Sequence, residues 1–319
     1  MASADTSRLD YSGFAFVVNP LELPAPTPFE LAPGHFLQRA TDEQIQVIMK
    51  ALARTGPYFG FDVAGRLYEM ESVETRTASG VQGEYRPLTR DRWRYNVITF
   101  TPNNAHIQEI EEASNLTDVL LNAPLLFFNQ GGRGGHAGRI ANFFNNLSFS
   151  VKPLKVSDSE IGEIKVVFEA IRSVEHDYPE LRRAMRMFAS LGSLPPHSDF
   201  HVLGLFMIIE MLITHNPKLE DRGDSITHQM KSKVPLLSRR FSRPLNYHKY
   251  FGDSAEDEVW EALYGYRSAI AHGGVPDFKK KYKVLRDAET AKSFLEEAVR
   301  ALLRHSLSEP QLYKDLREC

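Results

Sequence analysis

The chain has 319 residues, 42% hydrophobic and 25% charged, with 38 Lys and Arg against 41 Asp and Glu for a net charge of −3. This composition excludes a disordered tail protein, a collagen-like fibre and a disulfide mini-protein, and it lacks the overall basic excess of a protein that coats nucleic acid without specificity. At roughly 100–200 residues per domain, the length predicts two domains. The only cysteine is the last residue, Cys319, which excludes intramolecular disulfides and Cys-based metal sites. The longest apolar stretch, Val202 to Ile213, is interrupted by Glu210 and is shorter than the ~18 residues a membrane span needs, so no membrane association is expected. The first residues, MASADTSRLD, carry no basic-then-apolar signal pattern, and the expected location is the cytoplasm.

In chain order, residues 1–152 read as an α+β domain. Ser12–Val18, Leu67–Thr77 and Tyr95–Thr101 mix β-branched and aromatic residues over strand-like lengths. Five prolines between Pro20 and Pro33 predict an extended, polyproline-like connector. Thr41 to Arg54 has helical phasing, with Thr41 as N-cap and Gly56-Pro57 as the stop, and a second helix is expected from about Ala105 to Leu121. The glycine-rich run Asn129–Arg139 follows an apolar segment as a phosphate loop would, but it fits neither GxxxxGK[ST] nor GxGxxG and reads as a flexible loop. Arg133, His136 and Arg139 within it are candidate phosphate or partner contacts.

Residues 153–319 read as an all-α bundle. Helical phasing begins with Ile161, Ile164, Phe168 and Ile171, and a second helix follows the Asp177-Tyr178-Pro179 start. The third, Ser198 to His215, is apolar nearly all round and is expected in the middle of the bundle. A fourth carries Ile226, Met230, Val234 and Leu237 with a kink expected at Pro235; a fifth runs from Ala255 to His272 and a sixth from Ala288 to His305.

The fifth helix carries the chemistry. In Glu261–Gly274 (EALYGYRSAIAHGG), Val259, Leu263, Tyr266 and Ile270 align as a core face, while Tyr264, Gly265, Ser268 and His272 fall opposite. Gly265 in a helix interior costs about 1 kcal/mol relative to Ala. It reads as a place of close approach, a contact surface for a partner subunit. Ser268 and His272 are helix neighbours, whereas Arg267 and His272 point about 140° apart on an ideal helix. The latter two converge only if the helix ends near His272, and Gly273-Gly274 supplies a left-handed C-cap there. Arg-x4-His occurs three times, at Arg243/His248, Arg267/His272 and Arg300/His305, and only the middle pair lies at a glycine-capped helix end.

LYGYRSAIAHGG, preceded by the apolar helix FMIIEMLITHN with its embedded Glu210, resembles the signature of HEPN domains, specifically the Apea-like HEPN branch, over the second half of the chain. The resemblance implies a HEPN-type helical bundle that dimerises and cleaves RNA without a metal or cofactor. On that reading Arg267 holds the scissile phosphate, His272 moves a proton to or from the ribose oxygens, and Ser268 orients His272 or the substrate. It also implies a toxin-like or antiviral defence effector, with the first domain sensing a trigger, binding a regulatory partner or selecting RNA. Some HEPN domains are non-catalytic, and a ligand-binding or dimerisation module serving as sensor or scaffold is the alternative. On a purely structural reading, Arg267 pairs with an acid such as Glu210, and His272 is a helix cap.

Basic residues cluster in 218–249, with Lys231, Lys233, Arg239 and Arg240 as candidate substrate contacts beside Tyr264, and again at Lys279, Lys280, Lys281, Lys283 and Arg286. Gly265, Gly273 and Glu210 are read as supporting residues. Eight of the 11 histidines follow residue 155, none in HExxH or another compact ligand spacing, so no metal site is indicated.

Overall fold

The computed structural model describes residues 11–55, 65, 67–77, 80–135, 153–195, 198–215 and 225–318. The chain divides into two compact units, Met1–Glu169 and Ala170–Cys319, the first rich in sheet and the second helical. The division falls inside the helix Asp158–Val174, downstream of the 152/153 boundary read from the sequence.

The first unit is built on a six-stranded antiparallel sheet. Its strands are β1 (Gly13–Val17), β3 (Phe29–Ala32), β4 (His35–Arg39), β7 (Asn96–Phe100), β8 (Leu125–Phe128) and β9 (Arg133–Gly135), in the order β3-β4-β7-β1-β8-β9. A short parallel pair, β2 (Leu21–Glu22) with β10 (Leu154–Lys155), and the hairpin of β5 (Met70–Thr77) and β6 (Gly80–Pro87) complete it. Every residue of β1 and β7 is buried, as central strands covered on both faces require. Gly13 has no side chain for a physical reason: a Cβ there would collide with the Phe127 carbonyl and the Phe100 ring.

Helix α1 (Asp42–Thr55) packs Ile45, Ile48 and Leu52 into one core with Phe14, Phe16 and Val97. Its start is a capping box. Gln44 N–H donates to Thr41 Oγ1 at 3.3 Å, and Thr41 N–H donates to Gln44 Oε1 at 2.9 Å.

Three expectations for this unit need correction. The stretch after Pro20 is not one polyproline connector: β2 lies inside it, and Phe29–Ala32 pairs with β4 as an edge strand, the position where prolines on either side take no ladder hydrogen bond from a neighbour. The helix expected to reach Leu121 stops early, as α2 (Ile107–Ser114). Past that point side chains compete for the backbone: Ser114 Oγ accepts from Leu121 N–H at 3.0 Å, and a Glu111 carboxylate oxygen accepts from Ala123 N–H at 2.6 Å. The described part of the glycine run, finally, is the β8–β9 hairpin rather than a loose loop. Gly131 and Gly132 turn it at φ 82° and 121°. Residues 136–139, with His136 and Arg139, lie outside the described residues.

The second unit contains α4 (Pro179–Leu191), α5 (Asp199–Ile213), α6 (Ile226–Ser238), α7 (Tyr247–Phe251), α8 (Glu256–Ala271), α9 (Ala288–Ser308) and α10 (Pro310–Glu318), following α3 (Asp158–Val174). The short α7 and the terminal α10 were not anticipated. Helix α5 touches α4, α6, α8, α9 and α10, so it is the hub its composition suggested. It is not enclosed on all sides: Val202, Leu205, Ile208, Ile209 and Leu212 are buried, but Phe200 is 72% and Met207 55% exposed. Among the described residues, no helix is long and apolar enough to cross a membrane.

In the first unit His35 is buried. Its Nδ1 lies 2.9 Å from the Pro33 carbonyl, its Nε2 has no hydrogen-bond partner among the described residues, and its ring lies 5.3 Å from that of His106. Burial lowers its pKa below the usual imidazole value, with the His106 charge adding to that effect and the Pro33 bond and Glu109 opposing it. An unfolded chain therefore takes up this proton before the folded one does, and stability falls as pH drops below about 6.5. The expected result is an unfolding free energy that declines from pH 7.5 to 5.5, by no more than about 1.4 kcal/mol per pH unit for one proton, and with it the thermal midpoint. His35→Phe, which keeps a ring there, should flatten that decline in melts followed by circular dichroism.

Candidate active site

The candidate site is the C-terminal end of α8. Its position is fixed by Val259, Trp260, Leu263, Tyr266 and Ile270, all buried along one face and each contributing roughly 1.5–3 kcal/mol on full burial. The core face read from the sequence is the one observed, with Trp260 added; its indole N–H donates to the Tyr247 hydroxyl at 2.8 Å.

The helix ends as the glycines require. Ala271 is its last residue and His272 its C-cap. Gly273 takes φ 71°, its N–H donating to the Ile270 carbonyl at 3.1 Å, and Gly274 N–H donates to the Ala269 carbonyl at 2.8 Å. These two bonds form a Schellman motif, which satisfies carbonyls that would otherwise be orphaned. The His272 imidazole is left exposed and makes no hydrogen bond or ion pair with a described residue. Ser268 is half-buried, and its carbonyl accepts the His272 N–H at 3.2 Å; the contact between the two residues is through backbone, not side chains.

Arg267 is held from α5. Its Nη2 lies 3.3 Å from Glu210 Oε1, with side chains 31% and 20% exposed respectively, and its guanidinium sits 5.7 Å from the Tyr264 ring. Tyr264 in turn meets the Phe206 ring edge-on at 6.4 Å. The pairing foreseen for Glu210 is therefore present. Burial pushes the Glu210 carboxyl above the usual carboxylate range, and the Arg267 charge pulls it back. The contact is an ion pair without hydrogen-bond geometry: among the described residues neither Glu210 Oε1 nor Arg267 Nε has a hydrogen-bond partner. No bond links the Arg267 guanidinium to the His272 ring.

Gly265 has a different role from the one expected. The Tyr282 hydroxyl donates to the Gly265 carbonyl at 2.9 Å, and a Cβ on Gly265 would lie 3.1 Å from the Tyr282 ring. The close approach at this position is made by the chain's own following segment, where the sequence reading had placed a partner subunit. That role for Tyr282 was missed, although Phe278, Tyr282 and Leu285 recur at helix-like spacing in the lysine run and were its available signal.

The basic candidates separate once partners are assigned. Lys231 pairs with Glu261 at 2.6 Å and Arg240 with Glu309 at 2.6 Å. The ammonium of Lys233 donates to the carbonyls of Ile213 at 3.1 Å and Leu316 at 2.8 Å, so it caps the ends of α5 and α10 and is not free for substrate. Arg239 is exposed and makes no side-chain bond among the described residues. Lys218 and Arg222 lie outside the described residues. No group of three or more His, Cys, Asp or Glu among the described residues is placed to hold a metal ion. In the first unit a cavity of about 380 Å³ is lined by Phe14, Phe127, Gln44, Asn129 and Arg133, so Arg133 borders a concave surface of its own.

Comparison with known proteins gives no match: no family model fits the chain, and no curated protein or solved structure is similar to it.

The Schellman closure has a direct test. Nothing lies within 4 Å of a Cβ at Gly273, so a substitution there meets only backbone strain. Gly273→Ala should cost about 1–2 kcal/mol, while Gly273→Asn, whose side chain tolerates the left-handed region, should cost less. Denaturant unfolding of the two variants measures the difference.

Proposed function

We propose that the chain is a metal-independent endoribonuclease of HEPN type, resembling the Apea-like branch, that acts as a cytoplasmic homodimer and serves as a toxin-like or antiviral defence effector. The observation that carries this reading is the end of α8: one Schellman-closed helix terminus presents the exposed His272 imidazole within five residues of an Arg267 guanidinium positioned from a second helix by Glu210.

The chemistry uses the substrate's own nucleophile. The 2′-hydroxyl attacks the adjacent phosphorus, its proton passes to an imidazole, the bond to the 5′-oxygen breaks, and that oxygen takes up a proton. The products are a 2′,3′-cyclic phosphate and a 5′-hydroxyl. An imidazole, with an ordinary pKa of about 6.5, suits such transfers, which contribute about 10²–10⁴ in rate. The guanidinium offsets charge building on the phosphate oxygens. The cycle needs both a proton acceptor and a proton donor, and two copies of α8 facing each other across a two-fold axis would supply one imidazole each.

The open face of α5 supports such a dimer. Phe200, Leu203, Met207 and Met211 follow one another at helical spacing, none of them buried, on the same helix that presents Glu210 to Arg267. Phe200 and Met207 are the exposed members of this row, and an apolar patch of this kind, where contiguous, marks a contact surface. A second reading, a non-catalytic HEPN module used as sensor or scaffold, is favoured by the Glu210–Arg267 pair itself, since a guanidinium engaged by a carboxylate is partly neutralised before any phosphate arrives.

Cleavage of a labelled single-stranded RNA in EDTA decides between them. The nuclease reading expects cutting with cyclic-phosphate ends, resistance of the matching DNA, and losses of at least about 100-fold in Arg267→Ala and His272→Ala variants that keep their melting temperature. The scaffold reading expects no cutting by any of them. Separately, Met207→Glu should lower the molar mass seen by light scattering from dimer to monomer, and with it the cleavage.

A further inference from the structure

We propose that the segment Phe278–Arg286 is a phosphate-backbone track that delivers single-stranded RNA to the Arg267/His272 end of α8; this rests on the nuclease reading given above. Five of the eight residues from 279 to 286 are cationic: Lys279, Lys280, Lys281, Lys283 and Arg286. All are exposed, and none forms an ion pair with a described residue. That separates them from Lys231, Arg240 and Lys249, each of which is matched to a glutamate.

The flanking acids, Asp277 and Asp287, keep their charge but form no ion pair with the run; their side-chain oxygens accept from backbone N–H groups, and the Thr290 N–H bond, helped by the Arg286 charge, holds Asp287 below the usual carboxylate range. Asp277 Oδ1 accepts from the N–H groups of Lys279 at 2.9 Å and Lys280 at 3.1 Å, and Asp287 Oδ1 accepts from Thr290 N–H at 2.7 Å as the N-cap of α9.

The track is fastened to the site helix. Tyr282 hydrogen-bonds the Gly265 carbonyl, two residues before Arg267, and the Phe278 ring packs edge-on against Tyr266 at 5.2 Å. Its own backbone is ordered by bonds such as Tyr282 N–H to the Asp277 carbonyl at 2.9 Å and Leu285 N–H to the Tyr282 carbonyl at 3.0 Å. The lysines are thus held in a fixed relation to α8 rather than on a free loop. A polymer with one charge per residue gains most from such a row, since each neutralised phosphate releases counterions.

A second observation is independent of charge. Arg286 takes φ 64° and ψ −65°, and the N–H of Asp287 donates to the Leu285 carbonyl at 2.8 Å around it. This is a γ-turn with positive φ, which an L-residue adopts only under strain and glycine adopts freely. An arginine at a position suited to glycine points to a use for the side chain that outweighs local stability.

The test uses the full chain in a His272→Ala background, so that binding is read without cutting, and follows the fluorescence anisotropy of a labelled 20-mer of uridylate. Replacing Lys279, Lys280, Lys281 and Lys283 together by Gln should weaken binding at least roughly 10-fold at 0.1 M salt. It should also flatten the slope of log K against log salt by about 0.7 for each phosphate that is no longer neutralised. Lys314→Gln on α10 should change neither. Arg286→Gly should raise the melting temperature by roughly 2–4 °C while weakening RNA binding. Unchanged affinity and slope in the quadruple variant would overturn the proposal, as would capture of phosphatidylserine vesicles in place of RNA, or an Arg286→Gly variant that binds RNA as tightly as its parent. If the track binds RNA but the chain with His272 intact never cuts it, the nuclease reading fails while the track stands.

Discussion

A helix that ends in the open must satisfy its last carbonyls, and the way α8 does so governs everything around it. Gly273 and Gly274 turn the backbone back on the helix and fill the carbonyls of Ile270 and Ala269. No side chain is needed for the closure, so the polar residues of the last turn are left for other uses. His272 stays exposed as a result, and the chain leaves α8 in the direction that lets Phe278 and Tyr282 return against Tyr266 and Gly265. The glycine at 265 belongs to the same constraint. It admits the Tyr282 ring so closely that even a methyl group at 265 would press on it.

The Glu210–Arg267 pair is a polar contact between α5 and α8. Half-burying a carboxylate is unfavourable, which the raised pKa of Glu210 expresses, and the guanidinium only partly offsets it. Among the described residues Arg267 Nε has no hydrogen bond, and Glu210 Oε1 has only the ion-pair contact with Arg267 Nη2. A pair maintained purely for stability would be better replaced by two apolar side chains of similar volume.

Much of the second unit was legible because its helices are long, amphipathic and bounded by recognisable signals. Pro179 sits at the first position of α4, Asp287 caps α9, and the glycines close α8. The open face of α5 was not legible: an all-apolar helix has no polar side to mark where packing stops, so Phe200 and Met207 looked like core. Nor was α7, whose five residues are too few for any period to register. In the first unit the failures have a common source. Whether Phe29–Ala32 is a strand depends on β4 beside it, and where α2 ends depends on Ser114 and Glu111 reaching backbone groups up to a dozen residues away. Such outcomes are set by partners, and one-dimensional periodicity carries no record of them.

Charge shows the same dependence on partners. Read along the sequence, the cluster around Lys231 to Arg240 looks the more promising basic surface, and the lysine run after α8 its lesser companion. Their partners differ. Lys231 and Arg240 face glutamates 2.6 Å away, which offsets their charge at contact distance, and Lys233 is drawn to carbonyls at two helix ends. In the later run the neighbouring aspartates bond backbone N–H groups and form no ion pair with the lysines, which stay exposed. A chain with a net charge of −3 can therefore still present a concentrated cationic row. What decides its reach is which cations are paired at contact distance, which the composition of a segment does not reveal.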